Sequence, residues 1–192
     1  MNARIEKYLK AYNLVQLAVW LLAINSLPLN FLFAFYTICI VQLLSVIEIY
    51  NAHKKWNNSS PFFCFIQIAA RLFVLFFSFI LLFVSIFRKI PFLYEDIYIM
   101  LTAWCIAEII RYAYYVTQLF KQEIKLITWL RYSAFIICYP VGLLSEFFVL
   151  YTVFKYNDVL AIKILMVVVA LIYVFMFPKL YLHLFKQRKQ KL

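Results

Sequence analysis

The sequence predicts an all-α, polytopic membrane protein: a bundle of six transmembrane helices with both termini in the cytosol, forming one domain over residues 1–192. Three observations predict it. Hydrophobic residues make up 67% of the 192-residue chain and charged residues 14%, with a mean hydropathy of +0.90. A soluble domain of this size could not cover itself with polar surface. The apolar residues fall into six runs, each long enough to cross roughly 30 Å of hydrocarbon, which takes about 20 helical residues. The basic residues behind a net charge of +11 collect between and beyond those runs. That pattern belongs to helix orientation and anionic headgroups rather than to nucleic acid.

The first span is expected at about residues 8–27, behind Arg4, Lys7 and Lys10. Its basic start also suits a signal peptide, but no small-x-small cleavage pattern stands near Asn25-Ser26-Leu27, which favours a retained span. Pro28 is expected to open the second, at about residues 29–51, because its fixed φ suits a first helical turn. A polar connector around His53-Lys54-Lys55-Trp56 and Asn57 to Ser60 precedes the third span, about residues 61–87. Arg88, Lys89, Pro91, Glu95 and Asp96 mark the turn into the fourth, about residues 97–120. Lys121 to Lys125 lead to the fifth, about residues 127–154, and Lys155 to Asp158 to the sixth, about residues 159–184, followed by a basic tail. Placing the N-terminus, the second connector, the fourth connector and the tail on one side gathers most of the Lys and Arg residues there. The positive-inside bias makes that side cytosolic.

Several chemistries are disfavoured by what the chain contains. Two histidines, His53 and His183, do not make the multi-histidine iron site of membrane oxygenases. A single glycine excludes a GxGxxG turn or a P-loop, and with them nicotinamide or ATP as cofactor; neither cofactor nor metal is expected. Cys39, Cys64, Cys105 and Cys138 each sit alone in an apolar run and read as small hydrophobes.

Polar residues inside apolar runs carry the functional reading. Gln42, Glu48, Gln67, Arg71, Glu108, Arg111, Arg131 and Glu146 lie at membrane depth. A lone charge there is costly, so pairing across helices is the plain account of most of them, with Glu108 and Arg111 paired at i,i+3. Trp104, Tyr112, Tyr114, Tyr115 and Trp129 read as packing or interfacial residues. Glu146 differs, because its own helix offers no basic residue one turn away. Tyr139 lies seven residues before it, which is two turns and about 10 Å of rise on the same face. Pro140 removes a backbone donor for the carbonyl of Ile136, and Gly142 permits close approach. A phenol and a carboxylate on one kinked helix are suited to acid–base chemistry.

The run Tyr139-Pro140-x-Gly142-x-x-Ser145-Glu146, preceded by Arg131-Tyr132, resembles the signature of the 3-hydroxyacyl-CoA dehydratases, also called protein tyrosine phosphatase-like proteins. Tyr12-Asn13, Gln67-x-x-x-Arg71 and Glu108-Ile-Ile-Arg111-Tyr112-x-Tyr114-Tyr115 extend the likeness over nearly the whole chain. Two positions depart from it: Asn51 stands where a histidine is usual and Lys55 where a glycine is usual.

The resemblance implies removal of water from a (3R)-3-hydroxyacyl-CoA to give the trans-2-enoyl-CoA, the third step of very-long-chain fatty acid elongation, in the endoplasmic reticulum membrane. It implies an acyl-CoA substrate, the lipid bilayer as surroundings, and elongase and reductase subunits as partners. Tyr139 and Glu146 match the catalytic positions; Gln67, Arg71, Arg111, Tyr112, Arg131 and Gly142 match supporting or substrate-binding ones. Either of the catalytic two could be the base. The competing expectations are a catalytically silent scaffold or lipid-binding subunit and a small transporter using Glu146, Glu108 and Arg111. The Cys105-x5-Arg111 spacing does not make a phosphatase, since a phosphate cradle needs free backbone amides and these residues fall in an apolar helical run.

Overall fold

A computed structural model describes residues 3–56 and 60–191. Asn57, Asn58 and Ser59 of the polar connector lie outside the described residues, as do both terminal extremes. The described residues form eight α-helices: α1 Ala3–Ser26, α2 Phe31–Leu44, α3 Val46–His53, α4 Pro61–Ser85, α5 Leu93–Leu119, α6 Lys125–Arg131, α7 Phe135–Tyr156 and α8 Leu160–Lys191. Four stretches are long and apolar enough to cross a membrane: Phe31–His53, Pro61–Ser85, Lys125–Tyr156 and Leu160–Lys191.

Two expected spans are interrupted. The second breaks at Ser45, where the amide of Glu48 donates to the Ser45 carbonyl, three residues back rather than four. The carbonyl of Leu44 thereby loses its helical donor, and the hydroxyl of Tyr12 on α1 donates to it at 3.4 Å. The fifth breaks over Tyr132–Ala134, so Trp129 and Arg131 belong to α6 and the Tyr139 to Glu146 segment to α7. There too the bonds shorten to three residues, from Ser133 to Leu130 and from Ile136 to Ser133. Nor does Pro28 open a helix. The α2 cap is Asn30, whose side chain accepts from the amide of Phe33 at 3.0 Å. Pro61 does stand in the first turn of α4. The sixth helix runs on beyond the expected end of its span, so the basic tail is the last part of α8.

α3 and α5 both end in a Schellman arrangement. After α3 the Trp56 amide donates to the Asn51 carbonyl and the Lys55 amide to that of Ala52, with Lys55 at φ 55°. The Trp56 ring closes on Tyr50 edge-on, 5.6 Å between centroids, as the motif's apolar contact. After α5 the Gln122 amide donates to Thr117 and that of Lys121 to Gln118, with Lys121 at φ 56°. Lys55 explains the usual glycine at its position: the backbone is left-handed, and a side chain there is strained.

α5 is the centre of the packing and lies most extensively against α7 and α1. Leu93, Ile97, Met100, Leu101 and Tyr112 of α5 are among the largest fully buried side chains, together with Trp20, Phe35, Ile38 and Leu150 of the other helices. α8 is the opposite case. Met166 is its buried residue, and Leu160, Ile164, Val167, Leu171 and Phe175 are exposed. Such an apolar outer face suits lipid rather than water.

Candidate active site

A chain of buried charges crosses the bundle and ends beside α7. Glu48 of α3 accepts from the Arg111 Nη1 at 2.5 Å and from the Tyr112 hydroxyl. Arg111 also reaches Glu108 one turn before it, Nε to Oε2 at 2.7 Å and Nη2 to Oε2 at 2.5 Å. Glu108 in turn accepts from Arg71 Nη1 of α4 at 2.5 Å. Two carboxylates and two guanidiniums therefore compensate one another, which is how buried charges are tolerated; removing one partner of such a pair costs about 3–5 kcal/mol. The expected pairing of Glu108 with Arg111 holds, and Arg71 and Glu48 extend it across three helices.

Glu146 is the third carboxylate, and it is held differently. The Trp104 indole Nε1 of α5 donates to its Oε1 at 3.0 Å. Arg71 lies with its guanidinium 5.0 Å from the Trp104 ring centroid, so it acts on Glu146 at longer range while its ion pair goes to Glu108. Among the described residues, Glu48 and Glu108 sit in ion pairs and Glu146 on a neutral donor. Gly142, one turn before Glu146, packs directly under that donor: a Cβ there would stand in ordinary contact, 3.6 Å from both Cδ1 and Nε1 of Trp104, with no space for a larger side chain in that direction.

Tyr139 and Glu146 both face α8. The Tyr139 ring stacks on Phe177, centroids 5.2 Å apart, and on Tyr181 at 6.2 Å. Tyr173, Phe177 and Tyr181 recur every four residues and so line one stripe of α8 along the Tyr139 to Glu146 face. Pro140 leaves the carbonyl of Ile136 without its helical donor, as expected, and Tyr181 supplies a substitute, its hydroxyl donating at 3.2 Å. The phenol of Tyr139 and the carboxylate of Glu146 thus project from one face of α7, two turns apart.

The remaining sequence candidates divide. Arg71 and Gly142 adjoin Glu146 through Trp104. Arg111 and Tyr112 belong to the charge chain beside Glu48. Arg131 lies on α6 with its guanidinium 5.9 Å from the Tyr115 ring, while Gln67 is exposed on α4. Trp104, read from the sequence as a packing or interfacial residue, is instead the donor to Glu146, and Tyr173 was not singled out. Trp104, Glu108 and Arg111 recur at helical spacing, a signal that Trp104 shares their face; Tyr173 carried only its period-four relation to Phe177 and Tyr181.

Fold and site define a class: an all-helical protein with apolar spans whose interior sets a phenol and a carboxylate along one helix face. The description "Protein tyrosine phosphatase-like protein, PTPLA" matches residues 42–192, and the chain belongs to that family. It is 31% identical over 156 residues to a fission yeast (Schizosaccharomyces pombe) protein named probable very-long-chain (3R)-3-hydroxyacyl-CoA dehydratase, covering 73% of this chain and 70% of that one. It is 29% identical to very-long-chain (3R)-3-hydroxyacyl-CoA dehydratase 2 of Mus musculus over 51% of this chain, and 30% identical to that of Homo sapiens over 50%. The chain spans 44% of the length of each of those two. No solved structure matches. The phosphatase part of the family's description finds no support in Arg111, which faces two carboxylates that would repel a phosphate.

Proposed function

We propose that this protein is a hydro-lyase that removes water from (3R)-3-hydroxyacyl-CoA to give trans-2-enoyl-CoA, in the elongation of very-long-chain fatty acids. The observation that carries the reading is Glu146. Within a family whose relatives are named for this reaction, it stands apart from the charge chain, on a neutral indole, with a phenol two turns away on the same face of its own helix.

Glu146 takes the proton from C2, whose acidity the thioester raises only modestly. The C2–H electron pair becomes the new double bond as the C3–O bond breaks. Tyr139 donates its proton to the departing hydroxyl, which leaves as water. A proton then returns from the Glu146 carboxyl to the Tyr139 phenolate, and the pair is restored without metal or cofactor. Trp104 fixes the carboxylate, and the small residue at Gly142 leaves the indole its place. The departures from the family pattern lie away from this pair: Asn51 accepts from Tyr8 and Lys55 closes α3.

The same reading takes the chain as one six-span domain in the endoplasmic reticulum membrane, with cytosolic termini and elongase and reductase subunits as partners. Contacts at the two ends of the bundle support it. Tyr8 meets Trp56, Lys10 lies over Phe120 and Phe63 stacks on His183 at one end; Phe31 meets Tyr94 and Arg88 lies over Tyr156 at the other. α1 and α5 then cross like the four apolar stretches, their polar side chains turned inward. A CoA head would sit at the first, more basic end, its acyl chain among the apolar helices.

Purified protein in detergent, given a 3-hydroxyacyl-CoA, is expected to form enoyl product. Tyr139→Phe and Glu146→Gln should each abolish it while keeping the thermal transition. Full turnover by either variant would remove the assigned pair, and an inactive wild type would remove the reaction.

A further inference from the structure

The elimination leaves one need unassigned. As Glu146 draws the proton from C2, negative charge builds on the thioester carbonyl oxygen, and in a water-poor interior that charge needs a fixed donor. The oxygen is borne by the carbon next to C2. The departing hydroxyl is on C3, on the other side of C2, so the carbonyl oxygen needs a second donor, within reach of the base and distinct from the group that serves the hydroxyl. Trp104 is committed to Glu146, and Tyr139 lies two turns away with the leaving group.

Tyr173 of α8 meets the requirement. Its hydroxyl is buried and makes no hydrogen bond in the structure. Tyr173 belongs to the α8 stripe that faces Tyr139 and Glu146, one turn before the Phe177 ring that stacks on Tyr139. The Phe147 ring packs edge-on against it at 5.8 Å between centroids and fixes its orientation. A buried hydroxyl without a partner costs stability, so its retention in an aromatic stripe that phenylalanine would fill equally well calls for a reason. An acyl thioester entering beside Glu146 supplies the missing acceptor.

We propose that Tyr173 is a catalytic residue that donates to the thioester carbonyl oxygen, stabilising the enolate-like charge while Glu146 removes the C2 proton. The hydroxyl keeps its proton throughout; it strengthens a hydrogen bond as charge develops and relaxes when the enoyl product forms. This rests on the dehydratase reading above.

The test is Tyr173→Phe in the full chain, assayed with 3-hydroxyacyl-CoA and its C2-deuterated form, beside a thermal melt. The expected kcat falls roughly 100-fold or more, as on loss of one such donor elsewhere, with KM changed far less. The C2 isotope effect is expected to be at least as large as that of the wild type, since proton removal stays limiting. The Tm is expected to hold or rise, because an unpartnered hydroxyl has gone. A structural role moves Tm and kcat downward together; the opposite movement is the mark of a donor used only with substrate. A kcat within threefold of wild type would overturn the proposal, as would a loss accompanied by a lower Tm or an isotope effect collapsed to unity. An active wild type with an unaffected Tyr173→Phe rejects Tyr173 alone, whereas an inactive wild type rejects the dehydratase reading and this inference with it.

Discussion

Gly142 offers a graded perturbation of the site that leaves both reacting side chains in place. The glycine is in the right-handed helix α7, so its value lies in space and not in backbone freedom. A Cβ added there meets Trp104 Cδ1 and Nε1 at 3.6 Å and Ala103 Cβ at 3.9 Å, all ordinary contact distances. Gly142→Ala should therefore be accommodated, and should stabilise by about 0.5–1 kcal/mol through helix propensity. Gly142→Val places two further methyls about 1.5 Å beyond that Cβ. The 3.6 Å gap cannot hold a methyl directed at Trp104, and the branched side chain has little rotamer choice in a helix. The indole must move and release Glu146. A hydrogen bond to a charged group contributes about 1.5–3 kcal/mol, and overpacking costs about 1–3 kcal/mol. At about 2–4 °C per kcal/mol for a chain of this size, Gly142→Ala should melt slightly above wild type and Gly142→Val several degrees below it. Melting followed by intrinsic fluorescence in detergent, with turnover on the same samples, reads both. Turnover near wild type for alanine and largely lost for valine is expected. A valine variant that melts and turns over like wild type would refute the close fit of Trp104 on Gly142.

The helix ends and the proline kink give two further tests. Lys55→Gly and Lys121→Gly each relieve a left-handed side-chain position, so each should stabilise by about 1 kcal/mol, additively and with turnover unchanged; loss of stability in either would contradict the caps as described. Tyr181→Phe should cost about 1 kcal/mol, because the Ile136 carbonyl loses its substitute donor. In a Pro140→Ala background the helix amide returns, and the same substitution should then cost close to nothing beyond its ring packing; equal costs in both backgrounds would separate Tyr181 from the kink.

Six apolar runs, the inward-facing acid and the phenol two turns before it could be read from residues 1–192 in order, because hydropathy and the 3.6-residue period are local properties of a chain. The Glu108–Arg111 pair was legible for the same reason, being one turn apart on one helix. Other features depend on helices meeting. A one-residue interruption at Ser45 leaves the hydropathy of its run unaltered, and it persists because Tyr12, 32 positions earlier, satisfies the carbonyl it frees. Tyr181 does the same, from 45 positions later, for the Ile136 carbonyl that Pro140 leaves free. Glu146 was recognisable as an unpaired acid, but its donor Trp104, 42 positions away on another helix, was indistinguishable by composition from an interfacial aromatic. Sequence alone marked most of the groups that turn away from lipid, Gln67, exposed on α4, being an exception; the tertiary structure decided which of them meet. The physical reason is that burying a polar group demands a partner, and a partner on a distant helix has no fixed spacing in the chain.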